Sequence, residues 1–301
     1  MTSHKLPLIT LGLSILVAGT LLYMALPQPP TEPGSLVQLT FSNSDYDPDW
    51  GPDGEKIVFA HLDGENQTLW LVNSDGTGLV EIGPGFDPSW SPVGDKIAYT
   101  RNNQIYTMNP GGDDIVQLTA EDANGNPAWS PDGSKIVYTR YGEDGASIWM
   151  MNADGTGKIA LTSPESDGDC SWPSFSYDGS KIVYIKGPVT AAPGAEAEPN
   201  EIWVMDNDGS DKHQIYAPGD SGQLIFQRAW NRDNKILFMR QSSGRAPDVW
   251  MMNSDGSDAF PLLESQQYCY GDPVWDLAGT KVALIKSSAP GSQNIFIFSW
   301  P

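Results

Sequence analysis

Trp129-Ser130-Pro131-Asp132-Gly133-Ser134-Lys135-Ile136-Val137-Tyr138 joins an aromatic residue, a tight turn and an apolar run, and the chain repeats it. Six copies start at Trp50, Trp90, Trp129, Phe175, Trp230 and Trp275, spaced 40, 39, 46, 55 and 45 residues apart. A second element follows each copy. It is clearest in Leu69-Trp70-Leu71-Val72-Asn73-Ser74-Asp75-Gly76, returns from Ile105, Ile148, Ile202 and Val249, and is truncated from Ile295. Short β-type runs and Gly turns recurring about every 40 residues are the pattern of a β-propeller blade.

Each repeat divides into four strands, which predicts an all-β, six-bladed β-propeller. The aromatic residue closes an inner strand, Pro and Gly shape the turn, and Lys-Ile-Val-Tyr forms the second strand. The near-continuous apolar run Ile148-Trp149-Met150-Met151 is expected where neighbouring blades cover both faces. Asn152-Ala153-Asp154-Gly155 then reads as a hairpin turn of the primed type, and the fourth strand is short, as in residues 115–119. After Asn294-Ile295-Phe296-Ile297-Phe298 the sixth blade has no residues left for its fourth strand, yet Val37-Gln38-Leu39-Thr40 matches Val116-Gln117-Leu118-Thr119. The amino-terminal strand 35–40 is therefore expected to pair in blade six and close the ring.

Residues 1–26 are of a different character. Leu6 to Leu26 carries no charge, and a helix of that length would span roughly 30 Å, enough for a bilayer core. It reads as a signal peptide or an uncleaved signal anchor. Lys5 precedes it and the next basic residue is Lys56, so the charge bias places the propeller outside the cytoplasm, membrane-anchored or secreted. Residues 27–34 are a Pro-rich linker, and the propeller occupies 35–301. With 38 acidic against 17 basic residues and a net charge of −21, the field repels nucleic acid and favours cationic partners.

Asp87-Pro88-Ser89-Trp90-Ser91-Pro92, Trp129 to Ile136 and Ile148 to Gly155 resemble the WD-type repeats of TolB-like six-bladed propellers, a likeness that covers roughly residues 35–301. The resemblance implies the propeller fold and a binding role at the cell envelope, with a protein, peptide or glycan as partner.

In such a blade the Pro-Asp-Gly and Asn-x-Asp-Gly turns share one face. The opposite face carries segments that differ from blade to blade, at 63–67, 102–103, 142–146, 187–200, 241–248 and 287–293. Loops of varied length on a rigid scaffold are where binding resides. That face also receives the residues three before each inner aromatic: Asp47, Asp87, Asn126, Trp172, Gln227 and Asp272. Asp272, Asp47 and Asp87 come from consecutive blades, so they are expected to form an acidic arc at the channel mouth. Such an arc would suit Ca²⁺ or the amine of a basic side chain; alternatively each carboxylate begins its strand by bonding backbone N–H groups. Tyr46, Phe86, Tyr268 and Tyr270 are expected near the same mouth, as a platform for a peptide or sugar.

Catalytic signatures are absent from the sequence. Three histidines, His4, His61 and His213, show no ligand or relay spacing, and His61 reads as the start of a loop. There is no Gly-x-Ser-x-Gly elbow and no His-Glu-x-x-His. The expected function is non-catalytic binding with no required cofactor; the alternative is an envelope hydrolase or lyase working through the mouth carboxylates. Cys170 and Cys269 both precede inner strands, and an oxidising location makes a disulfide chemically accessible, though blade five intervenes between them.

An uncleaved anchor predicts that intact protein stays in the membrane fraction through a carbonate wash, with the propeller digestible from outside. Mature protein beginning after residue 19 or 25 would instead show cleavage.

Overall fold

The computed structural model describes residues 36–187, 200–219, 223–225, 230–241, 246–265, 267–287 and 292–300. Of residues 223–225 only the backbone is described. The leader and linker expected at 1–34 lie outside these residues, as does most of the insertion at 187–200. No helix among the described residues is long and apolar enough to cross a membrane.

Six four-stranded antiparallel sheets make up the propeller. Blade one contains Asp45–Trp50, Lys56–Asp63, Asn66–Asn73 and Val80–Pro84, and the same inner-to-outer order recurs through blade five. In blade six Cys269–Trp275, Lys281–Ser287 and Gln293–Ser299 are followed in space by Val37–Gln38 from the amino-terminal end. The only helix among the described residues is the single turn Pro164–Asp167.

The apolar second and third strands serve two interfaces at once. Side chains alternate across a strand, so Ile57 and Phe59 pack with Val274, Ala283 and Ile295 of blade six, together with Trp50. Their neighbours Val58 and Ala60 point the other way and pack with Trp90, Ile97, Tyr99 and Met108 of blade two. A continuous apolar run therefore replaces the polar and apolar alternation of a half-exposed strand.

Closure follows the expectation. Val37 stands opposite Ile297 and Gln38 opposite Phe296. The Leu39 N–H donates to the Ile295 carbonyl at 2.8 Å, and the Ile295 N–H donates to Thr40 Oγ1 at 2.9 Å. Leu118 and Thr119 make the same pair of bonds to Ile105, as do Leu161 and Thr162 to Ile148. The amino-terminal segment thus does in blade six what the Leu-Thr ends do within blades two and three.

Three local expectations are corrected. The Asn-x-Asp-Gly turns are not of the primed type, which needs positive φ at both central residues. Gly155 has φ 83° but Asp154 is not in the left-handed region, and Gly155 N–H bonds the Asn152 carbonyl at 2.9 Å. The result is a type I turn closed by a left-handed glycine, with the Asp154 carboxylate accepting the Thr156 N–H at 3.0 Å. Residues 63–67 and 142–146 are tight hairpins rather than loops: Asp63 pairs with Asn66 and Gly142 with Gly145. His61 accordingly lies inside the strand Lys56–Asp63. The fourth strand of blade two is confined to Val116–Gln117.

Removing residues 35–40 is expected to cost several kcal/mol, since Leu39, only 4% exposed, is worth about 2–5 kcal/mol and each lost hydrogen bond about 1 kcal/mol. An unchanged melting temperature in the shortened chain would contradict closure by this strand.

Candidate functional site

The residues three before each inner aromatic share an unusual backbone. Asp47, Asp87, Asn126, Trp172 and Asp272 have φ of 51°, 47°, 51°, 52° and 45°. Each sits where the register of the first two strands shifts, and each precedes a proline. They are β-bulges, which kink a strand and re-aim its side chain. Asp and Asn tolerate this conformation better than other non-glycine residues, whereas Trp172 carries more strain. Gln227 lies outside the described residues.

The bulges are stapled across blades. Asp272 Oδ2 accepts the Asp47 N–H at 3.3 Å, and Asp87 Oδ2 accepts the Asn126 N–H at 3.4 Å and the Asn126 side-chain amide at 3.2 Å. The Trp172 N–H donates to Thr139 Oγ1 of blade three at 3.0 Å. The carboxylates thus bond backbone N–H groups, and the group they reach belongs to the following blade.

Asp47 also interacts side chain to side chain with both Asp87 and Asp272, so the three expected arc residues do converge. Burial raises the Asp87 carboxyl. Burial, with a further push from the Asp87 charge, raises Asp272 to about 6. Neighbouring carboxylates in an enclosed site cannot all ionise without strong repulsion, so a shared proton relieves the trio. Tyr46, whose hydroxyl accepts a 2.8 Å hydrogen bond from Gln67, is raised by burial and then by Asp47. Among the described residues no group of three or more His, Cys, Asp or Glu side chains is placed to hold a metal ion.

The aromatic residues expected at the mouth are packed into separate interfaces. Tyr46 and Phe86 lie against the core between blades one and two, and Trp172 against that between blades four and five. Tyr270 is buried between blades five and six, and Tyr268 lies beneath the Lys286 ammonium, 3.9 Å from its ring centroid. Cys170 is buried and Cys269 exposed, and both are free thiols; burial pushes the Cys170 thiol up to about 11. At the far end of the channel Trp50, Trp90, Trp129, Phe175, Trp230 and Trp275 form a collar around a cavity of about 130 Å³.

A second constellation escaped the sequence reading. The register of blade one sets Asp45 opposite His61, and Asp45 Oδ1 lies 2.8 Å from His61 Nδ1. Asp45 is 1% exposed, and its Oδ2 is buried without a hydrogen-bond partner. His61 borders a cleft of about 580 Å³ on the variable face, whose walls include Glu65, Gln67, Trp70, Phe86 and Arg101. Its sequence signal is a break in the repeat: the residue five after the lysine at or just before the start of each second strand is His61, Arg101, Arg140, Lys186, Arg240 and Lys286.

The shared proton generates a signed prediction. Asp87 and Asp272 hold a proton more tightly folded than unfolded, so the contribution of each is complete below the ordinary Asp value near 4, and that of Asp272 is lost as pH rises through about 6. Asp272→Asn keeps an oxygen for the Asp47 N–H and removes one charge. Its stability relative to wild type is expected to rise by about 1–2 kcal/mol between about pH 5 and pH 7.5. A pH-independent difference would remove the shared proton from the account. A calcium-dependent rise in melting temperature, abolished by Asp47→Asn with Asp87→Asn, would assign the trio to a cation instead.

The family model for the dipeptidyl peptidase IV (DPP IV) N-terminal region matches residues 67–158, less than half of the chain. No curated protein matches the sequence. Among solved structures, a putative TolB from Agrobacterium tumefaciens aligns with TM-score 0.63 and 17% identity over 88% of this chain and 97% of its own. TolB from Acinetobacter baumannii aligns with TM-score 0.60 and 18% identity over 86% of this chain, which spans 64% of that protein. A gluconolactonase from Xanthomonas campestris gives TM-score 0.61 and 15% identity, with 89% and 90% covered. At identities this low the likeness shows the fold alone, and with the six closed blades it makes the chain a six-bladed β-propeller similar in fold to TolB.

Proposed function

We propose that this propeller is an extracytoplasmic, non-catalytic binding module whose protein or peptide partner docks on the variable face. The observation that carries the reading is the cleft of about 580 Å³, which opens on that face between the hairpin of blade one and the entry to blade two. At the opposite end of the channel the aromatic collar encloses a cavity of about 130 Å³. Loops on a rigid scaffold beside a cleft of this size are the usual setting for recognition. The uncharged stretch from Leu6 to Leu26 with Lys5 before it supports export. The likeness to TolB is compatible with a binding role at the envelope.

The competing reading is a hydrolase or lyase. One observation favours it: a carboxyl raised to about 6 beside partners in contact is the equipment of acid–base chemistry. The likeness to a gluconolactonase points the same way. The two readings separate on the mouth residues, because Asp272→Asn would abolish turnover in an enzyme while leaving a binding module able to hold its partner.

The binding reading is tested with matched charge reversals. Glu65→Lys with Glu81→Lys alters the variable face, and Glu55→Lys with Asp95→Lys alters the turn face by the same charge; all four residues are exposed. Capture of envelope proteins by the immobilised chain is expected to fall at least about tenfold for the first pair, equivalent to about 1.4 kcal/mol, and to change little for the second. Equal losses would reduce the attraction to net charge alone.

A further inference from the structure

The six blades provide an internal comparison for the cleft. In blade three the Arg140 guanidinium lies 5.1 Å from the centroid of Trp149, and in blade four the Lys186 ammonium lies 4.2 Å from that of Trp203. In blade five Arg240 stands 4.9 Å from Trp250, and in blade six Lys286 stands 5.4 Å from Phe296. The third-strand aromatic of each of these blades is thus covered by a cation from its own second strand, an arrangement favoured by the ring quadrupole. Blade two departs in part, since Arg101 turns toward the hydroxyl of Tyr99.

Blade one places His61 at this position. The imidazole meets Trp70 edge-on, at 6.0 Å between centroids and 70° between planes, because Asp45 holds Nδ1 from the opposite side. The repeat's aromatic is kept while its built-in permanent cation is replaced by a smaller ring tied to a buried acid. The surroundings are the reverse of basic. Asp63, Glu65 and Glu81 line the cleft against Arg101, and behind His61 the buried Asp45 Oδ2 has no hydrogen-bond partner. A cleft with an aromatic wall and an excess of carboxylates favours an incoming positive charge.

We propose that the cleft of blade one binds the ammonium or guanidinium group of a lysine or arginine side chain presented by a peptide partner, so that the partner supplies the cation that the other blades carry themselves. The proposal rests on the binding reading of the variable face and names the chemistry recognised there. Carboxylates at the rim steer the charge in, and Trp70 and Phe86 receive the aliphatic stem.

The test uses the full-length chain in detergent with N-acetyl-lysine methylamide and N-acetyl-arginine methylamide, which have no other charge. Binding is read from the indole N–H resonance of Trp70, assigned by Trp70→Phe. Both probes are expected to shift that resonance saturably. His61→Arg restores the cation found in the other blades and keeps a hydrogen-bond donor for Asp45; it is expected to weaken binding at least about tenfold. Glu65→Gln with Glu81→Gln changes only exposed residues and is expected to weaken it about fivefold. N-acetyl-norleucine methylamide, the uncharged analogue, should leave the resonance unmoved. A Trp70 resonance indifferent to both cations, or affinity unchanged in His61→Arg, overturns the proposal. Spermidine binding more tightly than either amino-acid probe would overturn the assignment to a peptide. If the probes fail while the Glu65→Lys with Glu81→Lys variant still loses its partner, the binding face stands and only the cation assignment falls.

Discussion

Burial of both faces of every blade is the constraint on which this molecule depends. A strand whose alternate side chains enter different cores, as Ile57 and Val58 do, cannot be satisfied by one neighbour. An open row of blades would leave an apolar face and an unpaired strand edge at each end, so the ring must close. Residues 37–40 complete it with the same hydrogen bonds that end ordinary blades, which joins the two ends of the domain in one sheet. Asn43 and Asn294 reinforce the seam, the Asn43 backbone N–H donating to Asn294 Oδ1 and the Asn294 side-chain amide to Asn43 Oδ1, each at 3.0 Å.

Closure also brings the bulges into one ring around the channel. The bulges at Asp272 and Asp87 turn their carboxylates toward the following blade, and the stapling of Asp47 N–H by Asp272 and of Asn126 N–H by Asp87 couples neighbours that share no backbone ladder. Where three such positions in succession are aspartates, the same geometry that joins the blades makes the carboxylates compete for charge. Burial raises the proton affinity of Asp87 and Asp272, and the Asp87 charge adds to the rise at Asp272. A structural role and a site that answers to pH therefore coexist in the same atoms.

A repeated fold offers its own standard for recognising function. Where an equivalent position holds the same chemistry from blade to blade, as the glycines of the Asp-Gly turns do in blades one, three, four and five, the backbone requires it: Gly76, Gly155, Gly209 and Gly256 all have φ of 83° to 85°. Where one blade departs from its siblings, packing alone does not explain the departure. His61 among lysines and arginines is such a case, and it borders the cleft of about 580 Å³ on the variable face.

The sequence by itself determined the architecture. The spacing of Trp50 through Trp275, the Pro-Asp-Gly turns and the recurrence of Val-Gln-Leu-Thr at 37–40 and 116–119 specified six blades and the manner of closure. Those are local or periodic signals, and turn chemistry and strand period act over a few residues. The shared spacing of Asp47, Asp87 and Asp272 also placed them together, because a regular ring converts equal sequence positions into adjacent ones. The left-handed backbone, the direction of each carboxylate and the raised proton affinity of Asp87 and Asp272 were decided by the tertiary structure, since a bulge depends on pairing with the second strand. The Asp45–His61 pair and its cleft were likewise invisible in the linear chain. Strand register sets residues sixteen apart face to face, and the cleft exists only once two blades stand side by side.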